Sequence, residues 1–227
     1  MAPSPEPTAR AAHSLLARLD CERVYGADSL PLSAPAASSP APITESLHAI
    51  AEEVRSCTLC SLSDSRTNAV PGEGNPRARI VFVGEGPGRD EDLNGRPFVG
   101  RAGQLLDRMM AAIGLDRTTA YIANVVKCRP PGNRTPTPLE AATCIWYLRR
   151  QLALIRPVVI CALGGVAASA LLERQIRITA IRGQQYPMGD SMLIPTFHPA
   201  YLLRNPSGKK EAWYDLKLVR RLLDDSE

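Results

Sequence analysis

The sequence predicts an α/β domain built on a parallel sheet with helices on both faces. Three observations support this. Four short runs are almost entirely apolar, as expected of strands buried on both sides. Segments with helical spacing alternate with them along the chain. The strings of unusual composition fall at the C-terminal ends of these runs, where open parallel sheets place their ligands.

The elements follow in order. Residues 8–25 are weakly helical, and Pro31 to Pro42 is almost entirely Pro, Ala and Ser. Such a stretch buries too little apolar surface to offset its ordering entropy, so an extended linker is expected. This divides the chain into an N-terminal extension, residues 1–43, and a folded domain, residues 44–227. Thr44 to Ser56 reads as a helix with Thr44 as a cap and Leu47, Ile50, Ala51 and Val54 as its apolar positions. Arg79 to Gly84 is the first strand, Ala102 to Ile113 a helix, and Tyr121 to Val126 the second strand. Pro138 to Leu154 is a helix and Val158 to Leu163 the third strand, followed by Gly164-Gly165 and a short helix. Met192 to Phe197 is the fourth strand. Lys209 to Leu223 closes the domain as a helix with Trp213, Leu216, Val219, Leu222 and Leu223 in its stripe.

Composition narrows the class. The chain has 227 residues, 44% of them hydrophobic, enough for one globular domain with a substantial core. No apolar run approaches the ~18 residues of a membrane span. The opening Met1-Ala2-Pro3-Ser4-Pro5-Glu6-Pro7 lacks the charged start and apolar core of a secretory signal. A cytoplasmic, reducing setting and a monomer are therefore expected, and the six cysteines read as metal ligands or reactive thiols rather than disulfides. The net charge of +4 permits a polyanionic partner without requiring one.

Cys57 and Cys60 form a C-x-x-C pair, and Cys128 and Cys144 stand far downstream. Four thiolates suit a metal centre, and this separation would tie the start of the domain to its middle. Spacing alone is compatible with zinc or with an iron–sulfur cluster.

Gly84-Glu85-Gly86-Pro87-Gly88 forms a rigid turn that lets a ligand approach the backbone. Arg89 stands where a dinucleotide-binding turn needs glycine, so that pattern fails. The acidic run Asp90-Glu91-Asp92 is compatible with a carboxylate that activates water and with a solvated cap of the next element. Phe98, between Pro97 and Val99-Gly100, is a candidate stacking platform or a core plug. Asn124 within a strand must find partners or cost roughly 1–3 kcal/mol, so it is bonded to a loop or kept for a ligand. A lone histidine is usually structural, but the position of His198 at a strand end ahead of Pro199-Ala200 makes it a candidate for catalysis. In the basic segment that follows, Leu202 and Leu203 are candidate wedges between DNA bases, with Arg204 on the backbone.

Taken together, these strings resemble family 4, the iron–sulfur uracil-DNA glycosylases. The match covers Gly84 to Gly88 with its acidic tail, Arg96-Pro97-Phe98-Val99-Gly100, Ala102-Gly103-Gln104-Leu105-Leu106, Asn124 to Arg134 and His198 to Arg204. It runs from about residue 47 to the C-terminus and leaves residues 1–43 outside.

The resemblance implies a three-layer α/β/α sandwich and a 4Fe-4S cluster on Cys57, Cys60, Cys128 and Cys144. It implies base excision repair of uracil-containing DNA: the uracil is flipped into a pocket and its N-glycosidic bond hydrolysed, leaving an abasic site. Phe98 would stack on the ring, Asn124 would contact N3–H and O4, and the backbone around Glu85 and Gly86 would contact the pyrimidine. His198 would stabilise charge on O2. Other families of the superfamily carry an aspartate at the position of Gly86, so Glu91 is expected to activate water here and to crowd C5 against a thymine methyl. Glu85, Glu91 and His198 are the expected catalytic residues. No lysine in the pocket strings suits a Schiff base, so a monofunctional glycosylase is expected.

Three other readings compete: an iron–sulfur or zinc docking module of a larger repair assembly, joined to a protein partner through the N-terminal extension; a uracil-DNA binder without turnover; and a related enzyme of different base preference, against which the resemblance sets Glu85 and Gly86. The absence of histidine from Cys128 to Arg134 argues against the second.

Overall fold

The computed structural model describes residues 45–226. The N-terminal helix expected over residues 8–25, the linker, the cap at Thr44 and Cys21 lie outside the described residues. Among those described, no helix is long and apolar enough to cross a membrane.

Four strands run in parallel, as expected. β2 (Ile80–Gly84) pairs with β3 (Tyr121–Asn124) and β4 (Val159–Leu163), and β4 pairs with β6 (Ser191–Thr196). The sheet nevertheless is mixed and larger than expected. β1 (Glu73–Gly74) adds antiparallel to β3, and β5 (Tyr186–Met188) antiparallel to β6, giving the order β1-β3-β2-β4-β6-β5. These additions are too short to carry a hydrophobic pattern, and Pro187 in β5 is tolerated because it lies at an edge.

Successive side chains of each central strand point to opposite faces. Val81 and Val83 pack with Ala123, Ile160 and Ala162 on one side, whereas Ile80 and Phe82 pack with Ile122, Cys161 and Ile194 on the other. Cys161 is fully buried, as its apolar strand suggested. The helices are α1 (Leu47–Ser56), α2 (Leu62–Ser65), α3 (Arg89–Asn94), α4 (Arg101–Ala111), α5 (Pro138–Ile155), α6 (Gly165–Leu172), α7 (Ile178–Ile181), α8 (Pro199–Arg204) and α9 (Lys209–Asp224). Residues of α1, α5 and α6 pack on the first face and residues of α4, α8 and α9 on the second.

Two helix starts matter for the site. Ser46 caps α1 by accepting from the Ala49 amide at 3.1 Å. Thr137 and Glu140 form a capping box at the start of α5, with Pro138 in its first turn. Arg150 of α5 then reaches the Glu53 carboxylate of α1 at 2.5 and 2.7 Å, which helps hold the helix ahead of Cys57 beside the helix that carries Cys144.

The stripe of α9 differs from the expected one. The helix buries Ala212, Asp215, Leu216, Val219 and Leu223, and Trp213 is 40% exposed. A stripe through Ala212, Leu216, Val219 and Leu223 keeps helical spacing and places Trp213 beside it. Asp215 is tolerated on the buried face because its Oδ2 accepts from Thr196 Oγ1 at 2.7 Å and Arg182 Nε at 3.0 Å. That network ties α9 to the end of β6, two residues before His198.

Candidate active site

The C-terminal ends of β2, β3 and β6 open onto one cleft of about 480 Å³. Its walls include Glu85, Gly86, Glu91, Phe98, Asn124, His198 and Arg204, so residues scattered over 120 positions of sequence converge there. The register explains the meeting of β2 and β3, since Gly84 lies opposite Asn124.

Asn124 is buried, and its Oδ1 is the buried side-chain oxygen or nitrogen without a hydrogen-bond partner among the described residues. A buried amide oxygen left unpaired costs free energy unless a ligand completes it. Gly84 makes room for this amide. A Cβ at Gly84 would come within 2.6 Å of Phe98 Cζ and closer still to Asn124 Oδ1. Gly84→Ala is therefore expected to displace both side chains and to lower substrate binding and turnover together by at least tenfold, since two contacts of roughly 1 kcal/mol or more are disturbed. Steady-state kinetics with a uracil-containing oligonucleotide checks this.

Phe98 is held in a left-handed conformation, φ 54°, which a bulky residue adopts only when its surroundings impose it. Three groups impose it here. The Arg117 guanidinium donates to the Phe98 carbonyl and, at 3.0 Å, to that of Pro97. Glu91 Oε1 accepts from the Val99 and Gly100 amides, both at 2.9 Å. Gly103 has no Cβ because one there would collide with the Phe98 carbonyl. The Phe98 ring, thus fixed, lies 5.6 Å from the His198 ring at a tilt of 32°.

Glu91 lines the cleft and also caps the helix that follows the glycine turn. Its Oε2 also accepts from the Gly88 amide at 3.1 Å, so three backbone N–H groups engage the carboxylate. It pins the glycine turn after β2 to the Phe98 loop. Glu85 is the other acid in the cleft. Burial pushes its carboxyl above the ordinary range, while a hydrogen bond to Thr135 pulls the other way.

His198 is the N-cap of α8, and its Nδ1 accepts from the Ala200 amide at 3.1 Å. Burial, followed by the Arg204 charge, lowers its pKa to about 4. The imidazole is therefore neutral near pH 7, and since Nδ1 is the acceptor the proton resides on Nε2. Gly164, φ 94°, lets the chain pass close by; a Cβ there would stand 3.1 Å from that of His198.

The two candidate wedge leucines differ in exposure. Leu202 is 1% exposed and belongs to the core. Leu203 is partly buried against the same core. The string forms a short helix rather than a loop, and its turn aims Leu202 inward while Tyr201 and Arg204 line the cleft.

A second, small cavity is lined by Cys57, Cys60, Cys128 and Cys144 together. These thiols are free of disulfides. Burial raises the Cys144 thiol to about 12 and raises Cys128 as well. Arg66 Nη1 donates to Cys128 Sγ at 2.9 Å, and the Lys127 amide donates to Cys144 Sγ at 3.2 Å. Lys127 itself is 1% exposed, and its ammonium donates to Gln151 Oε1 at 2.7 Å. Among the described residues, no group of three or more His, Cys, Asp or Glu side chains is disposed to hold a single metal ion.

Comparison with known proteins decides the family. The model of the uracil DNA glycosylase superfamily matches residues 71–217. The type-4 uracil-DNA glycosylase of Thermotoga maritima is 52% identical over 185 residues, covering 81% of this chain and 92% of the relative.

The chain belongs to the uracil-DNA glycosylase superfamily.

A second type-4 uracil-DNA glycosylase, from Archaeoglobus fulgidus, is 48% identical over 78% of this chain and 94% of its own. The type-5 uracil-DNA glycosylase of Thermus thermophilus is 34% identical over 57% of this chain and 68% of its own. Within this superfamily fold, sequence reasoning missed Arg117, which clamps the Phe98 loop, and Thr135, which meets Glu85. Neither carries a signal: both sit in polar loops and act through partners far away in the chain. Lys127 was missed for the opposite reason, because a lysine between Val126 and Cys128 reads as exposed.

Proposed function

We propose that this chain is a monofunctional glycosylase that removes uracil from DNA in base excision repair. The supporting observation is the orphaned, buried Asn124 Oδ1 in the same cleft as the Phe98 ring and the neutral His198. A flipped uracil completes that set. Its N3–H pairs with Asn124 Oδ1, its ring stacks on Phe98, and its O2 receives the Nε2–H of His198. Cytosine presents the reverse pattern: its N3 acceptor would oppose Asn124 Oδ1 and its N4 amino donor would oppose the amide N–H.

Cleavage of the N-glycosidic bond leaves its electron pair on the uracil, and negative charge develops at O2. A neutral Nε2–H donor already in place stabilises that charge without reorganisation. Water then adds to the sugar carbon, and the proton it releases passes, directly or through solvent, to the departing uracil anion. Of the two acids, Glu85 is the better placed to orient this water, because the Glu91 carboxylate is committed to backbone amides. Glu91 is a positioning residue for Phe98 and the glycine turn.

We further propose that the four cysteines hold a 4Fe-4S cluster. Four thiols line one cavity, which suits zinc or a cluster, and the resemblance to the iron–sulfur uracil-DNA glycosylases favours the cluster. Such a cluster, when bound, braces the scaffold by cross-linking four thiolates. The chain supplies matching charge: Arg66 at Cys128 and the buried Lys127 next in sequence. Residues 1–43 remain the candidate contact for a protein partner.

The test is direct. Purified protein is incubated with a uracil-containing oligonucleotide and then treated with alkali. Cleavage only after alkali is expected; an uncut strand with the visible absorbance of the cluster intact would leave the docking reading instead.

A further inference from the structure

The Phe98 loop is gripped on both sides of the ring. Glu91 takes the Val99 and Gly100 amides, and Arg117 takes the Pro97 and Phe98 carbonyls. Arg117 stands on the loop between α4 and β3, so its own side chain must be aimed. Two carboxylates aim it. Its Nη1 donates to Glu73 Oε1 at 2.6 Å and its Nε to Asp107 Oδ1 at 2.8 Å. A guanidinium is a rigid planar fork, so fixing those two donors directs Nη2 onto the Phe98 carbonyl.

Glu73 grips the same loop a second time. Its Oε2 accepts from Arg96 Nε at 2.7 Å and its Oε1 from Arg96 Nη2 at 3.1 Å. Arg96 stands two residues before Phe98, so one carboxylate holds the loop directly through Arg96 and indirectly through Arg117. The side chains of Glu73 and Arg117 are each 23% exposed, against 46% for Asp107, so the Glu73 pair is the less screened of the two. The sheet fixes where Glu73 stands. It occupies β1 opposite Ile122 of β3, two residues before Asn124. Gly72 and Gly74 flank it with φ of 126° and 131°, and a Cβ on Gly74 would collide with the Ala120 carbonyl. The short edge strand can therefore lie this close to β3 only with glycine on either side of the glutamate. Neither Glu73 nor Arg117 lines the cleft.

Resting on the uracil-excision reading, we propose that Glu73 is a positioning residue for that reaction: through Arg117 and Arg96 it holds the Phe98 ring, in its left-handed backbone conformation, where it stacks on the flipped base. Glu73 touches no reacting atom and acts through Phe98. Its contribution to the rate therefore vanishes once the ring is gone.

The experiment is a double-mutant cycle of Glu73→Gln with Phe98→Ala on a uracil-containing oligonucleotide. It is read as the maximal single-turnover rate of uracil release at saturating enzyme, which does not depend on how much of each preparation is folded. E73Q keeps the shape of the side chain and removes its charge. It is expected to slow release roughly 5–50-fold in the wild-type background, within the coupling range of residues in one hydrogen-bonded network. In the F98A background it should cost less than about twofold, the limit of additivity for such measurements. Arg117→Lys keeps the charge and loses the fork; it should show the same pattern, and it decides the matter if E73Q does not fold. Amide hydrogen exchange reads the loop without chemistry: Val99 and Gly100 should lose protection in E73Q while the central strands keep theirs. An equal loss in both backgrounds, no loss in the wild-type background, or unchanged exchange at Val99 and Gly100 would overturn the assignment. A wild-type protein that releases no uracil would instead sink the excision reading itself.

Discussion

Replacing His198 with alanine is expected to slow uracil excision by roughly 10²–10³-fold, the usual cost of one preorganised donor to developing charge, while DNA affinity stays nearly unchanged. The asymmetry follows from when the contact matters. The Nε2–H donor meets a weak carbonyl acceptor in the bound substrate and a much stronger one as the bond breaks. Because His198 also caps α8 through Nδ1, His198→Asn is the informative control. Asparagine keeps an acceptor at the helix start but is too short to replace the donor, so the same rate loss is expected with the helix start preserved. The pH profile adds a second readout. With the folded pKa at about 4, His198 stays neutral from about pH 5 upward, so no limb near the ordinary imidazole value of about 6.5 belongs to it. The sign for stability is equally fixed. The folded value lies below the unfolded one, so the unfolded chain takes up the proton first as pH falls. The contribution of this group is full above about pH 6.5 and is lost as pH drops through about 4. A rate that fell as pH rose through 6.5 would mean that the cation does the work.

The central strands were legible because short, nearly continuous apolar runs have few alternatives in a chain of this composition. Asn124 and His198 could be placed at strand ends for the same reason. What the sequence could not disclose is which way a side chain turns once partners far away in the chain compete for it. Glu91 looks like a free acid until the Val99 and Gly100 amides, eight and nine residues on, arrive at its carboxylate. Leu202 looks like an exposed wedge until the turn of α8 places it in the core. Trp213 invites inclusion in a stripe that in fact passes through Ala212. The edge strands β1 and β5 exist only because β3 and β6 offer unpaired edges, which no local pattern announces. In each case contacts distant in the chain, which no local pattern reports, set the side chain's surroundings.

Cys144→Ala should have the largest effect on stability. The parent protein is expected to lose its visible absorbance and its compact fold together when this ligand is removed. Structural zinc in zinc-finger peptides contributes about 10–16 kcal/mol at neutral pH, and even part of that is large beside the ~5–15 kcal/mol by which domains are stable. The geometry indicates why the effect spreads. Cys144 stands on α5, Cys128 follows β3, and Cys57 and Cys60 flank the end of α1, so one centre fastens three elements. The segment between Cys128 and α5 supplies Pro130, Asn133, Arg134 and Thr135 to the cleft wall. Arg134 is in turn held by the Glu140 carboxylate at 2.7 and 2.8 Å. Loss of the anionic centre would also leave Lys127 as a buried ammonium whose hydrogen bond goes to a neutral amide, a costly arrangement. Thermal melting and circular dichroism of the variant, beside the absorbance spectrum, measure these losses, and excision should fail because the cleft wall is released rather than because a reacting group is gone. A variant that melts like its parent and still excises uracil would show that the four thiols carry no shared centre.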